Sequence, residues 1–366
     1  MTTEPGLASW LQLALTPGLG AAALRALLKE YGLPENVIAA RRADLARHMN
    51  AAALQALDSA DVGKAVERAL DWASAPSHTV LTLDDPGYPR LLLEIGDPPP
   101  LIYCRGRVSL LNAPALAIVG SRNATAQGMR DAERFARAFS DAGLAIVSGL
   151  ALGIDAAAHR GGLDGSASTI AVLGTGIDVV YPERNRALAE EIAGRGLLVS
   201  EFALGTPALA HHFPRRNRLL SGLAQGCLVI EAAVASGSLI TARAAAEQGR
   251  EVFAIPGSIH SPLAKGCHAL IKSGAKLAES AEDVLSELGA FRRTGFAVTR
   301  AAPRTEGSQG ADDSPLLAHL GPEPVDVDSL CARAGLPADR VSAELLRLEL
   351  AGRVAALPGG LYQRLH

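Results

Sequence analysis

Short apolar segments alternate with glycine-rich turns and helical segments from about residue 115 onward. Each is four or five residues long, nearly continuously apolar and mostly β-branched, as expected of strands buried on both faces. They are Ala115–Val119, Ala145–Ser148, Thr169–Leu173, Leu197–Ser200, Cys227–Glu231 and Val252–Ile255. Between the first two, apolar residues recur at helical spacing, at Met129, Ala132, Ala136 and Phe139. Because strand and helix alternate, we predict an α/β fold with a Rossmann-like, doubly wound parallel sheet over 112–290.

Two different segments precede this predicted core. Residues 1–75 are rich in Ala and Leu and predict a helical domain, with a turn at Gly18 and Gly20. Helix-hairpin-helix modules hold DNA phosphate on similar glycines, whereas a small helical bundle with an ordinary turn is the alternative. Residues 76–111 are rich in Pro and Gly and predict an extended connector, in which 101–104 could form a short strand.

Two further segments follow the core. Residues 291–313 are poor in large apolar residues and predict a flexible linker. Residues 314–366 contain three short helical patterns, followed by a possible hairpin of 353–357 and 361–364 around a Pro-Gly-Gly turn. This order is typical of a winged-helix domain. Its net acidic charge opposes binding to DNA phosphates, so we favour a role in protein contact or regulation.

The composition narrows the class of protein. Of the 366 residues, 48% are apolar, and the net charge is −3, so an anion site must come from local clustering of arginine and from backbone amides. The four cysteines form no CxxC pair, which argues against a zinc ribbon and a disulfide framework. We see no stretch long enough to span a membrane and no secretory signal, so we expect a cytoplasmic protein.

Glycine- or hydroxyl-rich turns follow four of the predicted strands. In a parallel sheet these turns meet at one edge, and glycines there let backbone amides and helix N-termini approach an anion. The residues that we assign to this phosphate site are Gly120, Ser121, Arg122, Gly149, Gly153, Gly174, Ser236, Gly237 and Ser238. For any single turn, ordinary tight-turn chemistry would be a sufficient explanation, but four turns at one edge favour a ligand site.

Other kinds of site find little support. The chain lacks a Walker loop, a GxGxxG fingerprint and a GxSxG elbow, and the His211-His212 pair has no metal-ligand spacing, so we expect no metal and no cofactor. Asp155 is placed to cap the helix that follows it. Glu201 and Glu231 end strands and could orient arginines or act as an acid/base pair, and we favour the structural role because no nucleophile is nearby.

The segment from His211 to Arg218 is the most informative. Three arginines lie within four residues beside an aromatic ring and an amide, at Phe213, Arg215, Arg216, Asn217 and Arg218. Guanidinium groups bind phosphates, and a base can stack on a phenyl ring, so single-stranded nucleic acid fits better than duplex. The alternative is a helix start with Phe213 in the core and Arg216 or Arg218 paired with Glu201 or Glu231.

Several motifs resemble the core signature of the DprA/Smf family of bacterial natural transformation. They are VGSRNAT (119–125), VSGLALGIDAAAH (147–159), TIAVLGTGIDVVYP (169–182), FPRRNR (213–218), VIEAAVASGSLITA (229–242) and GREVFAIPG (249–257). The resemblance implies a SAM-like or helix-hairpin domain before the core and a winged helix after it. It also implies a non-catalytic protein that binds incoming single-stranded DNA, protects it, loads RecA recombinase and forms a homodimer through the Rossmann domain.

The resemblance also implies roles for single residues. Gly120, Ser121 and Arg122 would line a phosphate pocket, with Ser148, Gly149 and Gly153. Phe213 would stack a base, while Arg215, Arg216 and Arg218 would hold the backbone. Some members of the family carry a lysine near this Phe, where this chain has Ala210, His211 and His212.

An enzyme acting on a nucleoside monophosphate is the alternative function, because phosphoribohydrolases have a related fold. The same pocket would then hold a 5′-phosphate, with Glu231 as acid/base. The turn at 235–238 keeps only one glycine of the PGGxGT pattern of those enzymes, which counts against this hypothesis.

Overall fold

A computed structural model describes residues 4–289, 314–321, 324–357 and 359–365. The linker predicted over 291–313 lies outside the described residues. No helix in these ranges is both long and apolar enough to cross a bilayer.

The N-terminal region is helical, as predicted. Its helices are α1 (Glu4–Leu15), α2 (Ala21–Tyr31), α3 (Pro34–Ala39), α4 (Arg42–Leu45), α5 (Ala51–Ala56) and α6 (Ala60–Ser74). Ser59 and Asn50 begin α6 and α5 with side-chain caps on backbone amides. Leu11 of α1 and Ala69 of α6 pack in one apolar cluster with Val80 and Leu101 of the sheet, so these helices are attached to the core.

The central sheet has nine strands. They are β1 (His78–Thr82), β2 (Leu101–Gly106), β3 (Ala115–Gly120), β4 (Ala145–Ser148), β5 (Thr169–Val172), β6 (Leu197–Ser200), β7 (Gly226–Ile230), β8 (Glu251–Ala254) and β9 (Lys276–Leu277). Their order across the sheet is β1-β2-β6-β5-β4-β3-β7-β8-β9. The seven strands β3 to β9 pair in parallel. Strand β2 pairs antiparallel with β6, and β1 pairs antiparallel with β2 at that edge of the sheet.

The six strands expected from the apolar segments are confirmed to within one residue at each end. The interpretation of 76–111 as a connector needs correction, because this stretch supplies β1 and β2 and buries Tyr88 and Leu92 in the main apolar cluster. Because this region is rich in prolines, its sequence predicted an extended loop. The antiparallel pairing of Tyr103 with Ser200 nevertheless brings it into the sheet.

Helices cover both faces of the sheet. They are α7 (Arg90–Leu93), α8 (Ala126–Asp141), α9 (Ile154–Asp164), α10 (Arg186–Arg195), α11 (His212–Gly222), α12 (Ser238–Glu247), α13 (Lys265–Lys272) and α14 (Ala281–Leu288). Within β3, Ala115, Ala117 and Val119 pack on one side, and Leu116 and Ile118 pack on the other. This alternation explains why the strand is apolar throughout.

The direction of the winding reverses between β3 and β7. From β3 the chain proceeds through β4, β5 and β6 toward one edge, then returns to pair β7 against the other side of β3. In doubly wound sheets such a reversal separates the turns beyond the strands and leaves a crevice for a ligand.

The C-terminal region has the predicted winged-helix order. It consists of β10 (Val325–Asp326), α15 (Val327–Ala334), α16 (Ala338–Leu350), β11 (Val354–Leu357) and β12 (Leu361–Arg364). The three strands form a separate sheet in the order β10-β12-β11. Val341, Leu345 and Leu348 of α16 are buried in an apolar cluster of this region.

Candidate functional site

A cleft of about 760 Å³ lies at the carboxyl ends of β3 and β7, where the winding reverses. Its walls come from the turns after these two strands and from one side of α11. The predicted site residues that line it are Gly120, Ser121, Arg122, Phe213, Arg216, Asn217, Ser236, Gly237 and Ser238.

The turn after β3 is fixed by close backbone packing. A Cβ on Gly120 would lie 1.9 Å from the carbonyl oxygen of Ile230, so no other residue fits here. The Ser121 amide donates to the Glu231 carbonyl at 2.7 Å, which ties this turn to the end of β7. The Arg122 side chain that follows is exposed. The turn therefore presents one guanidinium from a rigid base.

An aromatic ring lies beside this guanidinium. The Arg122 Cζ atom is 5.6 Å from the centroid of the Phe213 ring. The centroid of the Tyr181 ring also lies 5.6 Å from the Phe213 centroid. A Cβ on Gly174 would lie 2.9 Å from Phe213 Cδ1, so the ring rests directly on the backbone of that glycine. Phe213 is half-buried at the wall of the cleft, as the stacking hypothesis requires, and is not a core residue.

Arg216 lies at the floor of the cleft and is 4% exposed. Its Nη1 donates to the Gly149 carbonyl at 2.8 Å and to the Val172 carbonyl, at the ends of β4 and β5. Burial lowers the pKa of this guanidinium to about 10, against the opposing effect of Asp155. The side chain therefore remains a cation at neutral pH, and it holds two strand ends together.

Asp155 does not cap the helix that follows, contrary to the prediction. It lies in the first turn of α9, after the N-cap Gly153. Its Oδ2 accepts hydrogen bonds from the amides of Gly149 at 3.1 Å and Ala151 at 3.3 Å. Burial raises the pKa of Asp155, and Arg216 and these two amides oppose that shift. The carboxylate thus braces the loop after β4.

The turn after β7 adds hydroxyls and a helix N-terminus. The Ser236 and Ser238 hydroxyls are 2.7 Å apart, and α12 begins at Ser238. A Cβ on Gly237 would meet no atom within 4 Å, so the turn is open toward solvent. The positive end of a ten-residue helix therefore lies at the same cleft as Arg122.

Glu231 has a structural role in this arrangement. Its carboxylate accepts hydrogen bonds from the Thr125 amide at 2.8 Å and from the Thr125 hydroxyl, at the start of α8. Glu231 adopts a φ of 51°, in the left-handed region that residues other than glycine rarely adopt. Burial raises the pKa of Glu231, and the two hydrogen bonds from Thr125 oppose that shift. The carboxylate thus fastens α8 to the end of β7.

Glu201 pairs with the two arginines of α11 that do not line the cleft. Its Oε2 accepts from Arg218 Nη2 and lies 3.3 Å from Arg215 Nη2. The Glu201 side chain is only 1% exposed; burial raises its pKa, while the two guanidinium groups act in the opposite direction. Positions 215 and 218 thus face away from the cleft, and positions 213, 216 and 217 face it.

The similarity to known proteins decides the family. Residues 79–289 match the family model described as DNA recombination-mediator protein A, and residues 300–360 match that of the DprA winged helix domain. The chain is 43% identical over 311 residues to the protein Smf of Escherichia coli K12, which covers 82% of this chain and 81% of that protein. The chain belongs to the DprA/Smf family.

Two solved structures of DprA proteins are similar to this one. The X-ray structure of DprA from Streptococcus pneumoniae matches with a TM-score of 0.66 and 40% identity, over 76% of this chain and 95% of that one. DprA from Helicobacter pylori, whose structure concerns a single-stranded DNA binding mode, matches with a TM-score of 0.53 and 30% identity, over 57% and 95%. The DprA/Smf fold expected from the motifs is confirmed.

Six of the residues predicted for the phosphate and DNA site do not line this cleft, and their contact with a DNA strand stays a prediction. They are Ser148, Gly149, Gly153, Gly174, Arg215 and Arg218. Ser148 is buried and donates to the Ile118 carbonyl at 2.6 Å. A Cβ on Gly153, at a φ of 75°, would lie 2.3 Å from the Ser121 carbonyl oxygen. Ser148 and Gly153 thus pack beneath the turns that form the cleft.

Sequence reasoning did not single out Tyr181, which lines the cleft and is 49% exposed. It lies well beyond the end of β5, so a search directed at residues immediately after strands passes over it. The available signal was an aromatic residue before Pro182 in a chain with only five tyrosines. Within the described ranges, no group of three or more His, Cys, Asp or Glu residues could hold a metal ion.

Proposed function

We propose that the protein binds single-stranded DNA in this cleft. The observation that carries the proposal is the juxtaposition of Arg122 and Phe213 at the wall of the cleft. Arg122 makes no ion pair within the described part of the chain, so its charge is available to a phosphate. The Phe213 ring offers a surface for an unpaired base, which a duplex would keep stacked.

The geometry suggests which groups meet which part of the strand. A phosphate would lie between the Arg122 guanidinium and the N-terminus of α12, near Gly237, where both contributions favour an anion. The neighbouring base would stack on Phe213, with Tyr181 beside it. Arg216 would contribute positive potential from the floor rather than a direct contact, because the carbonyls of Gly149 and Val172 already engage it.

We further propose the cellular role that the family resemblance implies. The protein would act in the cytoplasm as a homodimer formed through the Rossmann domain, protect incoming DNA during natural transformation and load RecA on it. The DprA of H. pylori, with its single-stranded DNA binding mode, supports the binding of single-stranded DNA on which this role depends. RecA loading is tested by following RecA filament assembly on single strands coated with single-strand binding protein, which this protein should accelerate.

The role is proposed to be non-catalytic. The phosphoribohydrolase alternative requires Glu231 as acid/base, but both oxygens of that carboxylate accept hydrogen bonds from Thr125. Incubation with AMP and related monophosphates should therefore release no free base. Release of adenine and ribose 5-phosphate in equal amounts, over many turnovers per protein molecule, would instead establish the enzyme.

Fluorescence anisotropy of labelled oligo-dT, measured with duplex of equal length at several salt concentrations, tests the DNA site. The Arg122→Ala variant should bind the single strand roughly tenfold more weakly, since a charge-assisted contact is lost. The slope of log Kd against log salt should fall by about 0.7, the value for one phosphate on a single strand.

Arg137→Ala is the matched control. Arg137 is 64% exposed near the far end of α8, and within the described ranges its ion pair is one of 3.8 Å with Asp141. Its removal deletes the same charge away from the cleft and should leave Kd and slope unchanged. Equal binding by Arg122→Ala and the parent would refute this cleft as the DNA site.

A further inference from the structure

An ion pair links the N-terminal helices to a loop of the core. Arg25 of α2 places its Nη2 atom 2.6 Å from Asp97 Oδ1, and its Nη1 donates to the Pro98 carbonyl at 3.0 Å. Asp97 lies in the segment between α7 and β2. A side chain of the N-terminal helices thus contacts the backbone and the carboxylate of one loop of the core.

The same loop also contacts α11. Arg218 donates through Nη1 to the Asp97 carbonyl, and its Nε lies 3.5 Å from Asp97 Oδ2. Its Nη2 donates to Glu201 Oε2, directly after β6. Asp97 therefore stands between two guanidinium groups, one from α2 and one from α11.

The two ends of this chain of contacts differ in exposure. The side chains of Glu201, Arg218 and Arg25 are 1%, 15% and 25% exposed, whereas Asp97 between them is 47% exposed. The Arg218–Glu201 pair is therefore weakly screened, while solvent screens part of the charge of Asp97. A second bond fixes the same helix, because Gln248 of α12 donates to the Arg218 carbonyl at 3.0 Å.

Helix α11 presents its other side to the cleft. Phe213 rests on Gly174 and lies beside Arg122, whereas Arg218, five residues later, is held by Asp97 and Glu201. Phe213 and Arg218 lie on the same eleven-residue helix, so a shift of that helix at Arg218 would be transmitted to the Phe213 ring. The contacts at Asp97 therefore bear on the geometry of the cleft wall.

We propose that the N-terminal helices position α11 for single-strand binding through the ion pairs that run from Arg25 through Asp97 to Arg218 and Glu201. Arg25, Asp97 and Arg218 are positioning residues in this proposal and touch no DNA. The inference rests on the proposed function, since it concerns how the same cleft is held in a binding-competent form.

The test compares Arg25→Ala with Arg41→Ala in the full chain. Both remove an arginine and an ion pair from the N-terminal helices, but Arg41 pairs with Asp44 and is 86% exposed. Oligo-dT affinity is measured by anisotropy at several salt concentrations. Arg25→Ala should bind about threefold to tenfold more weakly, whereas Arg41→Ala should match the parent.

Two readouts separate positioning from other roles. The salt slope of Arg25→Ala should equal that of the parent, because no phosphate contact is lost; a slope lower by about 0.7 would mean that Arg25 binds DNA itself and would overturn the proposal. Hydrogen exchange of the amides of 213–222, measured without DNA, should be faster in Arg25→Ala and unchanged in Arg41→Ala. Unchanged exchange and affinity would also overturn it.

Two further outcomes are distinguishable. If the parent itself fails to bind oligo-dT, the proposed function fails and this inference falls with it. If the parent binds and Arg25→Ala binds equally, the inference alone is wrong. Arg25→Gln, which keeps a hydrogen-bond donor, replaces the alanine variant if thermal unfolding shows that Arg25→Ala does not fold, and it should give a smaller loss in the same direction.

Discussion

The two sides of α11 carry the same residue type and use it differently. On the cleft side, Arg216 reaches the carbonyls at the ends of β4 and β5 and is buried. On the opposite side, Arg215 and Arg218 meet Glu201. None of these three guanidiniums is free for a phosphate in the way that Arg122 is. A basic cluster in a sequence therefore need not be a basic surface, because buried acceptors elsewhere in the fold can engage it first.

The largest effect should come from removing the buried member of the cluster. Arg216→Ala leaves two strand-end carbonyls without the Arg216 donor and removes the stronger of the two cations that act on Asp155. We expect a loss of about 3 kcal/mol in the free energy of unfolding. Urea unfolding followed by circular dichroism measures it. Arg216→Met, which keeps most of the side-chain volume, should be destabilised comparably, since the lost hydrogen bonds and charge matter more than the space. An unchanged urea midpoint of unfolding in both variants would contradict the structural role of Arg216.

Phe213→Ala should affect binding rather than folding. Loss of the ring removes a stacking surface that contributes about 1–3 kcal/mol per base. Oligo-dT affinity should fall accordingly, with no change in the salt slope, because no charge is removed. Phe213→Tyr keeps the aromatic face and serves as the control. A loss of affinity shared equally by both variants would show that contacts other than stacking are involved.

Arg215→Ala should have the smallest effect of the three. The side chain is 51% exposed, and its pair with Glu201 duplicates part of what Arg218 provides. We expect a change in stability of at most about 0.5 kcal/mol and no change in the salt dependence of single-strand binding. Thermal unfolding and the anisotropy titration check both. A reduced salt slope would place Arg215 on the DNA path and remove the contrast between the two sides of the helix.

Most of the fold was predictable because its strands are buried on both faces. That burial makes segments such as Ala145–Ser148 continuously apolar, and the pattern survives without any tertiary information. The strands His78–Thr82 and Lys276–Leu277 were missed. The first lies in a stretch rich in prolines and pairs antiparallel at an edge, and the second is too short to form a pattern.

The site was predictable only in part, for a different reason. Parallel strands bring their terminal turns to one edge, so Gly120 and Gly237 could be assigned to a common cleft before the fold was seen. Which way each arginine of α11 points depends on Asp97, Glu201 and two backbone carbonyls from distant segments. No local pattern encodes those partners, so the roles of Arg215 and Arg218 became clear only in three dimensions.

The contact between Gly174 and Phe213 has a consequence for how this surface can vary. The ring lies against a backbone with room for no added carbon, since a Cβ at position 174 would approach Cδ1 to 2.9 Å. A larger residue there would require the phenyl ring to shift. The absence of a side chain at position 174 thus sets where the Phe213 ring lies at the cleft wall, and a substitution there would move the ring without changing any residue that lines the cleft. If the proposed function holds, such a substitution would weaken base stacking from beneath the ring.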